Sequence, residues 1–142
     1  MAKKPRILFV CEESLSRCQM AEGFARYLAG AAVSVESAGP VSAATHPYCQ
    51  WAMNEAGIDI THFSIDPLTS KDLASFTHVV TLGPESKDSC RQVPSGVRID
   101  HWGIPDPGKV RGNPTDMILA FRSVRNEIEK RVKSLISGAL NA

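Results

Sequence analysis

Short apolar runs alternate along the chain with longer segments whose apolar residues have helical spacing. The runs that read as strands cover residues 6–10, 33–37, 77–82 and 97–102. The segments that read as helices cover residues 19–29, 47–56 and 115–140, the last with Thr115 as its expected cap. Strands that alternate with helices predict a parallel sheet covered on both faces. Because no repeat or linker interrupts the pattern, we expect residues 1–142 to form a single α/β domain.

Composition and charge exclude several classes of function. The chain has 142 residues, of which 43% are hydrophobic and 22% charged, and its net charge is only +1. Such a balance argues against general nucleic-acid binding or binding to acidic membranes. No apolar run is long enough to span a bilayer, and the segment Met1–Lys4 leads directly into the first strand rather than into a signal peptide. We therefore expect a cytoplasmic protein.

The four cysteines are expected to be thiols. They are Cys11, Cys18, Cys49 and Cys90, and a disulfide framework is not expected in a cytoplasmic chain of this length. No pair has Cys-x-x-Cys spacing and the four histidines are scattered, so no metal site is expected. Cys49 lies among apolar residues of the second helix and is interpreted as a core residue.

The segment from Cys11 to Arg17 carries the strongest chemical signal. It connects the first strand to the first helix, where a loop directs its backbone N–H groups inward and the helix N-terminus adds positive potential. Arg17 would offer a fork of donors to an oxyanion, and the same field favours thiolate at Cys11. The pattern predicts an oxyanion site with a sulfur nucleophile. The alternative is a structural cysteine and an arginine paired with Glu22 or Glu12.

Further candidates follow other predicted strands. In parallel sheets the ligand site lies beyond the carboxyl ends of the strands, so we expect Cys11, Gly83 and Asp106 to gather at one rim. Asp106 lies between two prolines, which restrict the backbone around its carboxylate. It is a candidate general acid, and this role is compatible with an ordinary turn aspartate.

Several motifs together resemble a known family. Residues 10–11, 17, 19–23 and 37–39 occur in the order seen in the low-molecular-weight phosphatase superfamily. Residues 46–47, 55–60, 79–82, 101–103, 106–107 and 121–125 are more similar to its thioredoxin-coupled arsenate reductase branch. The resemblance covers nearly the whole chain. It implies a three-layer α/β domain with a four-stranded parallel sheet flanked by helices.

The resemblance also implies residue roles. Cys11 would be the nucleophile, Arg17 the oxyanion clamp and Asp106 the general acid. A phosphatase-type anion-binding loop would follow the first strand. Its members would be Glu12, Glu13, Ser14, Leu15, Ser16, Arg17 and Cys18.

The chain departs from the family pattern at four positions. Glu12 and Glu13 stand near the place of a small residue or glycine, which removes a residue suited to positive φ. Cys18 replaces a serine that hydrogen-bonds the nucleophile, and a thiol is a weaker donor. Gly83 replaces the second cysteine of the reductase relay, whereas Cys90 remains at the place of the third.

The leading hypothesis is an arsenate reductase-like enzyme of the kind that confers arsenic resistance. A second thiol would attack the adduct on Cys11, release arsenite and leave a disulfide for thioredoxin or for glutathione and glutaredoxin. Cys90 is the first choice for that thiol, because its polar loop with Arg91 suits a mobile thiolate. Cys18 is the second choice and glutathione the third. No bound cofactor is expected, and the protein is expected to be monomeric.

Two alternatives remain open. The same loop could serve a low-molecular-weight tyrosine phosphatase that forms a phosphocysteine and needs no second thiol, with phosphate or phosphotyrosine in place of arsenate. The unusual loop could instead belong to a degenerate anion-binding or redox-sensing domain, in which a disulfide between Cys11 and Cys18 reports oxidation.

Overall fold

The computed structural model describes residues 4–41, 43–88, 90 and 93–141. The strands are β1 (Arg6–Val10), β2 (Ser34–Ala38), β3 (His78–Leu82) and β4 (Arg98–Trp102). The α-helices are α1 (Ser16–Ala29), α2 (Pro47–Glu55) and α3 (Pro114–Leu140). Arg91, which was expected to favour the thiolate of Cys90, lies outside the described residues.

The four strands form one parallel sheet in the order β2-β1-β3-β4. β1 is central, with Ile7 opposite Val35 on one side and opposite His78 on the other. Because every strand runs in the same direction, all four carboxyl ends lie along one edge. This arrangement confirms the parallel sheet predicted from the alternating pattern.

Successive β1 side chains enter two separate hydrophobic clusters, as the period of two in a strand requires. Ile7 and Phe9 belong to the larger cluster, which contains side chains from all three α-helices. Leu8 and Val10 belong to a second cluster, whose cover includes residues of two short 3₁₀ turns at 68–70 and 73–75. Both faces of β1 are fully buried, which explains its uninterrupted apolar sequence.

The ends of two helices differ from the prediction. α1 begins at Ser16, three residues earlier than expected, so Arg17 and Cys18 belong to its first turn. α3 is capped by Asn113, whose side chain accepts from the Asp116 amide at 2.9 Å, and the prediction of Thr115 as the cap was wrong. Proline is favoured at the first helical position, so the proline that follows Asn113 places the cap there.

The 27-residue helix α3 is amphipathic and is tied to α2 by ion pairs. Phe121 and Ile128 are fully buried. Glu55 of α2 accepts from Arg122 Nη2 at 2.7 Å and from Arg125 Nη1 at 2.6 Å. Among the described residues, no helix combines the length and apolarity needed to cross a membrane.

Candidate active site

Segments that follow all four strands converge at one rim of the sheet. Directly after β1, the Cys11 amide donates to the Ala38 carbonyl at the end of β2, at 3.0 Å. Arg17, at the start of α1, contacts Glu85 beyond β3 and the Ile104 carbonyl beyond β4. The expected gathering of strand ends is therefore confirmed, and it brings the predicted nucleophile loop and the Asp106 loop together.

Arg17 is fully buried and lies at the centre of this convergence. Its Nη1 donates to the Ile104 carbonyl at 2.7 Å and lies 3.4 Å from Glu85 Oε2. Its Nη2 forms an ion pair with Glu85 Oε1 and lies 3.9 Å from Asp106 Oδ2. The guanidinium group thus connects the loops that follow three different strands.

Arg17 pairs with neither of the two residues considered from the sequence, Glu22 and Glu12. Glu22 accepts from Arg26 Nε and from Ser37 Oγ, both at 2.7 Å, and it serves the packing of α1 against β2. Glu12 is exposed. The closest carboxylate to Arg17 instead comes from Glu85, far away in sequence.

Two donors of the loop are buried without a partner among the described residues. They are Ser14 Oγ and Arg17 Nε. Leu15, the N-cap residue of α1, makes no side-chain capping bond, so no side chain at that position competes for the first amides of the helix. Buried donors without partners are rare in folded proteins and call for a specific explanation. An oxyanion in the loop would satisfy both donors, because a helix N-terminus and an arginine are ordinary ligands of such anions.

The acidic residues of the loop do not strain it. Among the described residues, positive φ occurs only at glycines, so the loop tolerates the loss of the family's glycine without a left-handed residue. The side chains of Glu12 and Glu13 are exposed, and Glu13 forms an ion pair with Lys109. These two residues can therefore contribute to anion binding only through their backbone amides.

Cys11 and Cys18 are two buried thiols that interact with each other. Cys11 is 2% exposed and Cys18 is fully buried. Burial raises the pKa of Cys18 well above its ordinary value, and a hydrogen bond to Cys11 raises that pKa further. Cys18 Sγ also lies 3.9 Å from the Ala38 carbonyl. Cys18 therefore remains a protonated donor to Cys11, at the position where the family has a serine.

Cys49 lies beneath the same loop. It is fully buried, which confirms its prediction as a core residue, and its Sγ donates to the Ser16 carbonyl at 3.6 Å. Burial raises the pKa of Cys49 to about 12, with smaller contributions from the charges of Cys11 and Asp106. Its thiol is consequently unreactive near neutral pH.

The Cys90 side chain is buried, although the residues around it in the sequence are polar. Its side chain is 4% exposed and belongs to the second hydrophobic cluster, with Leu8, Val10 and Val79. Burial, and to a smaller extent the negative charge of Glu12, raises the pKa of Cys90 to about 11. The residues next to Cys90 in the sequence are polar, and its apolar neighbours come from strands that are distant in the chain.

Asp106 forms the turn that was expected from its sequence, and its side chain also lies beside Arg17. Its Oδ1 accepts from the Gly108 amide at 2.9 Å, which caps a 3₁₀ turn, while its Oδ2 faces Arg17. A cleft of about 310 Å³ opens above it and is lined by Glu85, Lys109 and two prolines. A carboxyl group in this position can reach a leaving group bound beside Arg17.

Sequence reasoning missed Glu85 and Lys109. Glu85 follows the end of β3 by only three positions, so the rule that sites lie beyond strand ends could have identified it. Lys109 follows Asp106 at the same distance, and its interaction with Glu13 joins loops 96 residues apart in the chain. No local sequence signal indicates that second contact.

Comparisons with known proteins agree with this architecture. The family model for low molecular weight phosphotyrosine protein phosphatases matches residues 6–142. An arsenate reductase of Oceanobacillus iheyensis is 38% identical over 133 residues, which cover 94% of this chain and 95% of the relative. A solved arsenate reductase in the reduced state is 30% identical, with a TM-score of 0.78 over 94% of this chain and 98% of the other. A low molecular weight protein tyrosine phosphatase from T. tengcongensis shares the fold, with a TM-score of 0.77 at 20% identity over 94% and 99% of the two chains.

Proposed function

The chain belongs to the low molecular weight phosphotyrosine protein phosphatase family, and on this premise we propose that it is an arsenate reductase-like enzyme. One observation carries the proposal: Cys18, in the first helical turn beside Arg17, is fully buried and interacts with Cys11, which raises the pKa of its thiol. A phosphatase needs one sulfur at this position, whereas a reductase needs two within bonding reach. The interaction supports Cys18, rather than Cys90, as the resolving thiol.

The first step forms a sulfur–arsenic bond. The Cys11 thiolate attacks the arsenic(V) centre of arsenate while Arg17, the loop amides and Ser14 Oγ bind the oxygens. The bond from arsenic to one hydroxyl breaks, and Asp106 donates a proton so that the hydroxyl departs as water. The arsenic remains pentavalent, and no electrons have been transferred at this stage.

The second step transfers two electrons. Cys18 sulfur attacks Cys11 sulfur, and the sulfur–arsenic bond breaks with its electron pair remaining on arsenic, which becomes arsenic(III). The proton of Cys18 passes to an oxygen of the departing arsenite. Because formation of the adduct removes the negative charge of Cys11, one cause of the raised pKa of Cys18 disappears when that thiol must react. The product on the enzyme is a disulfide between Cys11 and Cys18.

An external dithiol must then reduce that disulfide. Thioredoxin and the glutathione–glutaredoxin pair are both suitable by chemistry, since each supplies two electrons through thiol–disulfide exchange. The cytoplasmic location and the monomeric state expected from the sequence remain predictions. Both concern where and with which partners the reaction occurs, and neither alters the steps at Cys11.

Thiol mapping after one turnover tests the proposal. The fully reduced protein is incubated anaerobically with arsenate, and intact mass and alkylation identify which thiols have been oxidised. We expect an arsenate-dependent loss of two hydrogens with Cys11 linked to Cys18. Cys11→Ser and Cys18→Ser should abolish this loss, whereas Cys49→Ser, a matched buried control, should retain it.

The same experiment separates the competing assignments. A linkage of Cys11 to Cys90 that persists in Cys18→Ser would restore Cys90 as the resolving thiol. If all four thiols stayed free in the wild type and arsenite were formed only with glutathione present, the second thiol would be external. An unchanged protein that forms no arsenite under either condition would refute the reductase proposal.

The phosphatase alternative is favoured by one feature. Position 83, where the reductase branch usually carries a cysteine, is glycine, so the intramolecular relay lacks its usual middle thiol. Hydrolysis of an aromatic phosphate ester without any reductant would support this alternative. Cys18→Ser should leave such hydrolysis intact, because a serine at this position also donates to the nucleophile and no second thiol is required.

A further inference from the structure

Glu85 makes an unusual contact for a residue beside an oxyanion site. The carboxylate of Glu85 engages both terminal nitrogens of Arg17, which is the arrangement that a bound oxyanion would require from the same guanidinium group. The Arg17 side chain is fully buried and that of Glu85 is 19% exposed, so solvent screens the pair only weakly. A bound oxyanion and the Glu85 carboxylate would therefore both accept hydrogen bonds from the same terminal nitrogens of Arg17.

Gly83 creates the space for this contact. A Cβ atom at position 83 would overlap Arg17 Nη1 and would lie 2.6 Å from both carboxylate oxygens of Glu85. The guanidinium and carboxylate groups thus pack directly against the glycine backbone, whose φ is +92°. The residue that removes the middle thiol of the relay is also the residue that permits Arg17 and Glu85 to meet.

The charges around Arg17 also oppose the entry of an oxyanion. Glu85, Asp106 and Lys109 line one cleft, and the negative charges of Glu85 and Asp106 both raise the pKa of Lys109 after its main partner, Glu13. Of the described residues that line this cleft, two carry a carboxylate and one an ammonium group. An entering oxyanion meets unfavourable charge there unless the Glu85 carboxylate moves away from Arg17.

We infer that Glu85 is an internal competitor for the oxyanion, and that it sets the affinity of the site through Arg17. The inference rests on the proposed function, since it concerns the same oxyanion site. An anionic substrate must displace the Glu85 carboxylate. Arsenite is largely uncharged at neutral pH and cannot hold the guanidinium group against it. Return of Glu85 to Arg17 therefore favours release of product over release of substrate.

Binding of inorganic phosphate tests this inference without any turnover. Titration calorimetry compares the wild type with Glu85→Gln, Glu85→Ala and Arg17→Ala, and with Glu129→Gln as a control that removes an exposed carboxylate on α3. If Glu85 holds Arg17 in about nine of ten molecules, its removal lowers the apparent Kd for phosphate about tenfold. Glu129→Gln should leave the Kd within about twofold of the wild type.

A double variant shows whether the effect passes through Arg17. In the Arg17→Ala background, Glu85→Gln should no longer improve phosphate binding, because the contested donors are absent. Equal improvement in both backgrounds would reduce the effect to general electrostatics and overturn the inference. Unfolding by heat, followed by circular dichroism, verifies that each variant is folded, and Glu85→Ala provides a second test if Glu85→Gln is not.

Failure of this inference is distinguishable from failure of the proposed function. If the wild type binds phosphate, Arg17→Ala does not, and neither Glu85 variant binds more tightly, Glu85 does not compete and only the inference fails. If the wild type and Arg17→Ala bind phosphate equally, the oxyanion site itself has been misassigned and both fail. Phosphate binding by Glu85→Gln where the wild type shows none would support the inference in its strongest form.

Discussion

Substitution of Gly83 by alanine tests how closely the loop after β3 packs against Arg17. A non-glycine residue at its φ of +92° costs about 1–2 kcal/mol. The new Cβ would also overlap Arg17 Nη1, and loss of a charge-assisted hydrogen bond costs about 1.5–3 kcal/mol. Alanine stabilises by about 0.4–1 kcal/mol through the unfolded chain. The free energy of unfolding should therefore fall by about 1.5–4.5 kcal/mol.

Gly96 supplies a matched control for the backbone cost. Its φ is +96°, and a Cβ built on it would have no heavy atom of the described residues within 4 Å. Gly96→Ala should therefore cost only about 0–1.5 kcal/mol, which is strain less the unfolded-state gain. Urea denaturation followed by circular dichroism measures both variants, and the comparison is valid if the m-values agree. The difference between the two variants isolates the overlap with Arg17.

Equal costs at the two glycines would refute this reasoning, because they would show that Arg17 leaves Glu85 freely. A further check is Gly83→Ala in the Glu85→Gln background, where the charged partner is already lost and the additional penalty should shrink. The result also bears on Gly83→Cys. Restoration of the missing relay thiol should incur the same overlap, so this single substitution should destabilise the protein rather than rebuild the relay.

Three further predictions concern the acid, a helix cap and pH. Asp106→Asn keeps the acceptor for the Gly108 amide but removes the proton donor. Single-turnover reduction of arsenate should therefore slow by about 10²–10⁴-fold, while phosphate still binds. An unchanged rate would exclude Asp106 as the acid. Asn113→Ala should cost about 1 kcal/mol in urea denaturation, whereas Thr115→Ala should cost less; the reverse order would contradict the capping box. Hydrogen bonds from Arg122, and to a smaller extent from Arg125, lower the pKa of Glu55 from 4.5 to about 2. The stabilisation of the fold by the Glu55 carboxylate is therefore complete above about pH 4.5 and is lost as the pH falls toward 2. Glu55→Gln should flatten the acid side of the stability profile over that range, and a profile identical to the wild type would show that these pairs contribute nothing.

Local patterns were sufficient for most secondary structure, and they were less reliable at the ends of elements. The apolar run of β1 and the spacing in α3 were strong enough to predict both elements close to their observed bounds. The start of α1 was missed because its first turn contains buried polar residues, which break the amphipathic pattern. The cap of α3 was misassigned because Asn113 and Thr115 are both common caps, and the proline between them decides which one serves.

The cysteines show the limit of local information more clearly. Cys11 could be predicted as a candidate nucleophile because a strand, a loop and a helix follow one another in the sequence. The environments of Cys18 and Cys90 depend on residues far away in the chain. Cys18 interacts with Cys11 and lies near the carbonyl of Ala38, whereas Cys90 belongs to the other hydrophobic cluster, with Val10. The proposal of Cys18 as the resolving thiol therefore depends on packing that no local pattern indicates.

The sequence by itself determined the parallel sheet and the position of Cys11 between the first strand and the first helix, because both follow from periodicity and from residues close together in the chain. Only the tertiary structure decided what Arg17 binds. Its partner Glu85 lies 68 residues away, and their meeting depends on two parallel strands ending side by side and on a glycine between them that leaves room for both charges. A pattern along one segment carries no information on such a contact, because the energy that selects it arises where distant segments are buried together.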